Sequence, residues 1–104
     1  MSLFKRISIS EVHQMMEQGA INIADIRDVN SFQMGHIEGA QHVTNDNLGN
    51  YIEQSDKSLP LVVVCYHGNS SQPAAQFLAG QGFDEVYSMD GGFEAWKLQY
   101  PSVS

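Results

Sequence analysis

At 104 residues, with 42% hydrophobic and only 16% charged, the chain has the length of a single domain (1–104) and a composition that excludes disorder. Twelve acidic against five basic residues leave a net charge of −7, which excludes the basic stripe of a nucleic-acid binder and opposes docking on anionic lipid. A lone cysteine, Cys65, excludes an intrachain disulfide and a cysteine-rich zinc site, and one free thiol suits a reducing, cytoplasmic compartment. The longest apolar run, Leu61 to Tyr66, is far too short for a membrane span. Residues 1–6 read as an ordinary terminus without a leader of the signal-peptide kind.

The first element in chain order is a helix. Ser8-Ile9-Ser10-Glu11 matches a capping box, Ile7 and Val12 stand at the staple positions, and Gly19 closes the segment. Ile21–Ile26 reads as a strand. Asp28 caps a short helix through Met34, with Gly35 as its stop, and Ala40–Val43 is a weak strand. Asn45 or Asp46 is expected to cap a helix carrying Leu48, Tyr51 and Ile52. After Pro60, Leu61–Val64 shows no polar alternation, the pattern of a strand buried on both faces of a parallel sheet. Residues 65–70 form a polar loop. Ser70 or Ser71 is expected to cap a helix to about Gly80, with Ala74, Ala75, Phe77 and Leu78 as its buried stripe. Glu85–Met89 is a further strand. Gly91-Gly92 turns into a last helix with Phe93, Trp96 and Leu98 facing inward, and residues 101–104 fray. Strands alternating with helices indicate an α/β domain with a mainly parallel sheet.

The informative feature is the place of Cys65. It stands at the carboxyl end of the strongest strand, a few residues before a helix N-terminus, on the rim where open α/β sheets bind ligands. Successive N–H groups of such a loop can converge on an anion, and the helix dipole adds to them. A cysteine there becomes a thiolate nucleophile without an adjacent base. The plainer reading, a buried core thiol, is open to any lone cysteine, but the polar run Tyr66–Ser70 argues against it. Cysteine phosphatases share the strand-end cysteine but close the loop with an arginine that clamps the phosphoryl group. No arginine follows Cys65 in this chain.

Cys65-Tyr66-His67-Gly68-Asn69-Ser70 resembles the active loop of rhodanese-type sulfurtransferases. Asp25-Ile26-Arg27 with Gly35-His36-Ile37-Glu38-Gly39-Ala40 resembles that family's first signature, and Asp90-Gly91-Gly92-Phe93-Glu94-Ala95-Trp96 its C-terminal one. The three motifs stand in the family's order between Ile7 and Tyr100. The resemblance implies a single rhodanese-like domain with a five-stranded parallel sheet and helices on both faces. It also implies a persulfide on Cys65, taken from thiosulfate or another sulfane-sulfur donor. The sulfur would pass to cyanide or to a thiol acceptor such as a thioredoxin-like dithiol protein, with no cofactor.

The expected substrate-binding residues are Tyr66, His67, Gly68, Asn69, Ser70 and Ser71. The backbone N–H groups of residues 66–70 would stabilise charged sulfur, with Ser70, and Ser71 as a second candidate, adding a hydroxyl. His67 either favours the thiolate as an imidazolium or is a solvated loop residue. Asp25 and Arg27 either orient the loop or form a structural ion pair. His36 and His42, with no third ligand nearby, do not read as a metal site. Two alternatives are carried beside the sulfurtransferase: a phosphatase or arsenate reductase, and a non-enzymatic persulfide carrier or interaction module.

Overall fold

The computed structural model describes residues 3–104; Met1 and Ser2, the start of the segment read above as lacking a leader, lie outside them. The elements run β1 (Lys5–Ile7), α1 (Ile9–Gln18), β2 (Asn22–Asp25), α2 (Val29–Met34), β3 (Gln41–His42), α3 (Leu48–Gln54), β4 (Leu61–Val64), α4 (Ser71–Ala79), β5 (Val86–Met89) and α5 (Gly92–Gln99). The five strands form one sheet in the order β1-β5-β4-β2-β3, and every pairing is parallel. The α/β class, the parallel sheet and its five strands are therefore as expected. The short edge strand β1 went unread because it is three residues long and only Ile7 of the three is buried.

β4 is central and buried along its whole length. Its residues alternate between two cores, as the two-residue period of a strand requires. Val62 and Val64 join Ile7, Val12, Ile23, Met89, Phe93 and Trp96 on the face covered by α1 and α5. Leu61 and Val63 join Tyr51, Ala75, Leu78 and Val86 on the face covered by α3 and α4. Helices thus cover both faces. No helix among the described residues is long and apolar enough to cross a membrane.

The local signals at helix starts are partly realised. The Ser8 capping box of α1 is complete, and Asp28 caps α2 by accepting from Ser31 N–H at 3.0 Å. Asn47, rather than Asn45 or Asp46, precedes α3. Its side chain turns back, accepting from Thr44 N–H at 2.8 Å and donating to His42 O at 2.9 Å, so it caps the β3–α3 turn. Phe77 is half exposed and Leu98 largely so, against expectation. The helical period puts Ser71, Ala75 and Leu78 on the inner face of α4, and Phe93 and Trp96 on that of α5. Residues 101–104 are held rather than frayed. Val103 forms an antiparallel bridge with His36, and Trp96 Nε1–H donates to Pro101 O at 3.1 Å.

Candidate functional site

β4 leaves the sheet at Cys65. The Val64 carbonyl still accepts from Ile26 N–H of the β2 side at 2.9 Å, but the Cys65 carbonyl accepts from Phe93 N–H, at the start of α5, at 2.8 Å. The chain then turns through residues 66–70 and enters α4 at Ser71. Gly68 makes the turn with φ +90, and a Cβ there would stand 2.9 Å from Gly91 N and 3.1 Å from Met89 O, so only glycine fits.

The loop closes on the Cys65 sulfur. Gly68 N–H reaches Sγ at 3.1 Å and Ser71 N–H at 3.3 Å, while Ser71 Oγ stands 3.3 Å away. Ser71 N–H is one of the donors that every helix leaves unpaired in its first turn. The sulfur takes the part expected of a serine hydroxyl and caps α4. Ser70 does hold the position before the helix, but in helical conformation and without a side-chain bond to it. A negative charge on Sγ is further favoured by the positive end of the α4 dipole. Burial pushes the Cys65 thiol up, but the Ser71 hydroxyl and then the N–H groups of Ser71, Gly68 and His67 outweigh it. The thiol therefore titrates below its ordinary value.

Behind the loop, α5 supplies a backbone wall. Phe93 N–H takes the Cys65 carbonyl, and Glu94 N–H takes the Tyr66 carbonyl at 3.1 Å. The approach is so close that a Cβ on Gly92, itself at φ +61, would overlap the Tyr66 carbonyl and stand 2.5 Å from His67 N. The Gly91-Gly92 pair is therefore a site feature as well as a turn, which local pattern did not reveal.

On the other side, the Tyr66 ring leaves the loop toward α2. Its hydroxyl lies 3.1 Å from Ser31 Oγ and accepts from Asp28 N–H at 3.5 Å. Arg27 is buried under this ring and that of Phe93, its guanidinium carbon 5.9 and 4.1 Å from the two centroids. Its hydrogen bonds go to the Asp25 carboxylate, at 2.7 Å from Nη2, and to the Gly35 carbonyl at 2.8 Å. Asp25 and Arg27 are thus a buried ion pair whose side chains, among the described residues, make no hydrogen bond to the loop; Arg27 meets it at the Tyr66 ring.

Of the sequence-selected residues, Cys65, Gly68 and Ser71 meet at one atom. Ser71, not Ser70, brings the hydroxyl to the sulfur. His67, Asn69 and Ser70 are exposed, and their side chains have no hydrogen-bond partner among the described residues. The N–H groups of Tyr66, Asn69 and Ser70 also meet no acceptor among the described residues. His36 Nδ1 is bonded to Phe32 O at 2.7 Å and His42 Nε2 to Arg27 O at 2.5 Å, each committed to backbone. One buried hydroxyl was not anticipated. Ser88 Oγ, on β5, lies 2.7 Å from Ser71 Oγ. A serine two places after Val86 on the inward face of an apolar strand is the signal that could have found it.

Comparison with known proteins agrees with this geometry. Residues 8–99 match the rhodanese-like domain. A thiosulfate sulfurtransferase GlpE of Shewanella oneidensis is 58% identical over 96 residues, covering 92% of this chain and 95% of that one. The protein of the same name from Ectopseudomonas mendocina is 54% identical over 102 residues, covering 98% and 93%. Among solved structures, a rhodanese-related protein of Thermoplasma volcanium superposes with a TM-score of 0.81 at 24% identity, covering 96% of this chain and 98% of that one. The three motifs, the strand-end cysteine in its cradle of N–H groups and this similarity over nearly the full length lead to one assignment: the chain belongs to the rhodanese-like domain family.

Proposed function

We propose that the protein is a thiosulfate sulfurtransferase with Cys65 as its nucleophile. The observation that carries this reading is the convergence of Gly68 N–H, Ser71 N–H and the Ser71 hydroxyl on one sulfur at a strand-to-helix rim. The Cys65 thiolate attacks the outer sulfur of thiosulfate. The sulfur–sulfur bond breaks, sulfite leaves with its electron pair, and Cys65 holds a persulfide. Cyanide, or a cellular thiol, then attacks the terminal sulfur, giving thiocyanate or a new persulfide and restoring the thiolate. The unpaired N–H groups of Tyr66, Asn69 and Ser70 are available to the donor's oxygens or to the outer persulfide sulfur. A thioredoxin-like dithiol protein in the cytoplasm fits the acceptor's role, since a lone free thiol persists in a reducing compartment. The high identity to two thiosulfate sulfurtransferases supports the donor. The loop's lack of arginine disfavours a phosphatase. Thiocyanate formation from thiosulfate and cyanide tests the reading; a persulfide that forms but never turns over would favour a carrier.

Charge sets the kinetics of the donor. Thiosulfate is a dianion and the chain carries −7. The fixed charges near the loop are already paired: Arg27 with Asp25, Lys97 with Glu94, and Arg6 with Asp90. Arg27, Lys97 and Arg6, the described cations on the elements beside the loop, are therefore not free to offset the field. The Michaelis constant for thiosulfate is expected above about 1 mM, beyond the usual upper range. The ratio kcat/KM should rise as NaCl goes from about 20 to about 200 mM, because the Debye length shrinks to about 7 Å and screens the repulsion. A steep fall with salt would show a locally cationic entrance.

A further inference from the structure

We propose that Ser88 is a positioning residue for sulfur transfer: its buried hydroxyl donates to Ser71 Oγ and so turns the Ser71 hydroxyl proton toward Cys65 Sγ. This rests on the sulfurtransferase reading only for its effect on turnover; the effect on the thiol stands apart from it.

The three groups form a line through the protein, Ser88 Oγ to Ser71 Oγ at 2.7 Å and Ser71 Oγ to Cys65 Sγ at 3.3 Å. Ser71 and Ser88 are both fully buried. Each hydroxyl has one proton to give, and neither has another side-chain partner among the described residues apart from the sulfur. If the sulfur is a thiolate, Ser88 donates to Ser71, Ser71 donates to sulfur, and both protons are used. If instead Cys65 S–H donates to Ser71, Ser71 then either donates to Ser88 or accepts from it as well, and in both cases one buried hydroxyl proton is left with no side-chain acceptor, which is costly. The line is therefore complete when the sulfur is an acceptor, as it is in the thiolate and as Sγ remains in a persulfide. On ionisation the S–H bond breaks, its proton leaves to solvent and its electron pair stays on sulfur; the two hydroxyls rotate, and no other covalent bond changes.

The placement supports a dedicated contact. Ser88 follows Val86 on the β5 face packed against α4, where the neighbours Val63, Ala75, Leu78 and Val86 are apolar. A hydroxyl among them needs its partner. The titratable and charged groups on the elements around the loop are His67 in the loop, Asp25 at the end of β2, Arg27 after it, Asp28 before α2, and Asp90, Glu94 and Lys97 before and within α5. Among them Asp25 pairs with Arg27, Glu94 with Lys97, and Asp90 with Arg6.

The test is a double-mutant cycle on Ser71→Ala and Ser88→Ala, read by the pH midpoint of Cys65 alkylation with iodoacetamide and by kcat/KM for thiosulfate. Wild type should show a midpoint below the free-cysteine value of about 8.5. Ser88→Ala should raise it by about half to one unit, the equivalent of one hydrogen bond, and lower kcat/KM about tenfold. In the Ser71→Ala background Ser88→Ala should shift nothing further, because the relay is already cut. Ser88→Thr, which keeps the hydroxyl, should restore the midpoint. An unchanged midpoint in a folded Ser88→Ala variant would overturn the proposal, as would an equal shift with and without Ser71. Should wild type fail to turn over thiosulfate, the sulfurtransferase reading falls while the alkylation arm still decides the relay.

Discussion

Cys65→Ser is expected to abolish sulfur transfer while the fold persists. The partners of Sγ are placed to give hydrogen bonds to a charged atom: the N–H groups of Gly68, Ser71 and His67 and the Ser71 hydroxyl. Such a cradle draws a thiol below its ordinary value. It contains no base to take a proton from a serine hydroxyl, whose pKa lies far above that of a thiol. Oxygen also cannot hold the transferred sulfur as a persulfide does. Loss of a covalent nucleophile costs at least about 10³-fold in turnover. Serine is slightly smaller than cysteine and keeps a bonding atom for the two N–H groups, so the thermal midpoint should change little. Thiocyanate release and near-ultraviolet circular dichroism on the same preparation check both halves. A serine variant with even a tenth of wild-type turnover would mean that Cys65 is not the nucleophile.

Gly92→Ala is the second large effect, and it acts without touching the sulfur. Gly92 sits at φ +61, where a side chain costs about 1–2 kcal/mol. The larger cost is steric, because the added Cβ meets the Tyr66 carbonyl and His67 N, backbone atoms that can yield only if the loop moves. Moving the loop breaks the Phe93 and Glu94 N–H bonds that hold its first two carbonyls. A displacement of about 1 Å in a catalytic arrangement costs about 10²-fold in rate, and kcat/KM for thiosulfate is expected to fall by at least that. Gly39→Ala is the control. Gly39 also has positive φ, at +87, but a Cβ there meets nothing within 4 Å, so it should lose stability and keep activity. Equal activity losses in the two variants would show that glycine conformation, not the α5 wall, is what matters.

The parts of the site legible in the sequence were those set by neighbours along the chain. The Ser8–Glu11 box fixes the start of α1 because both bonds close within one turn. The unbroken apolar run 61–64 marks β4 as central, and the polar residues after it put Cys65 on the rim. What stayed hidden depends on residues far apart in the chain. Ser71 and Ser88 are 17 positions apart and meet only once α4 packs on β5. Gly92 reads as a turn residue until α5 is laid against the loop 26 positions earlier, at Tyr66. Ser70 and Ser71 are interchangeable as local caps. The loop's curvature, set by Gly68, decides that Ser71 faces the sulfur and Ser70 the solvent. Arg27 was weighed as a loop-orienting group because it stands near a strand end. Its hydrogen bonds run instead to Asp25 and Gly35, leaving only ring contacts with the loop.

The most direct test of the nucleophile is the intact mass of the protein after mixing with thiosulfate and removal of excess reagent. The wild-type chain should gain the mass of one sulfur atom, lose it on treatment with dithiothreitol, and lose it with formation of thiocyanate on addition of cyanide; Cys65→Ser should gain nothing. An unmodified wild-type mass in the presence of saturating thiosulfate, or the same gain on the serine variant, would contradict a persulfide on Cys65.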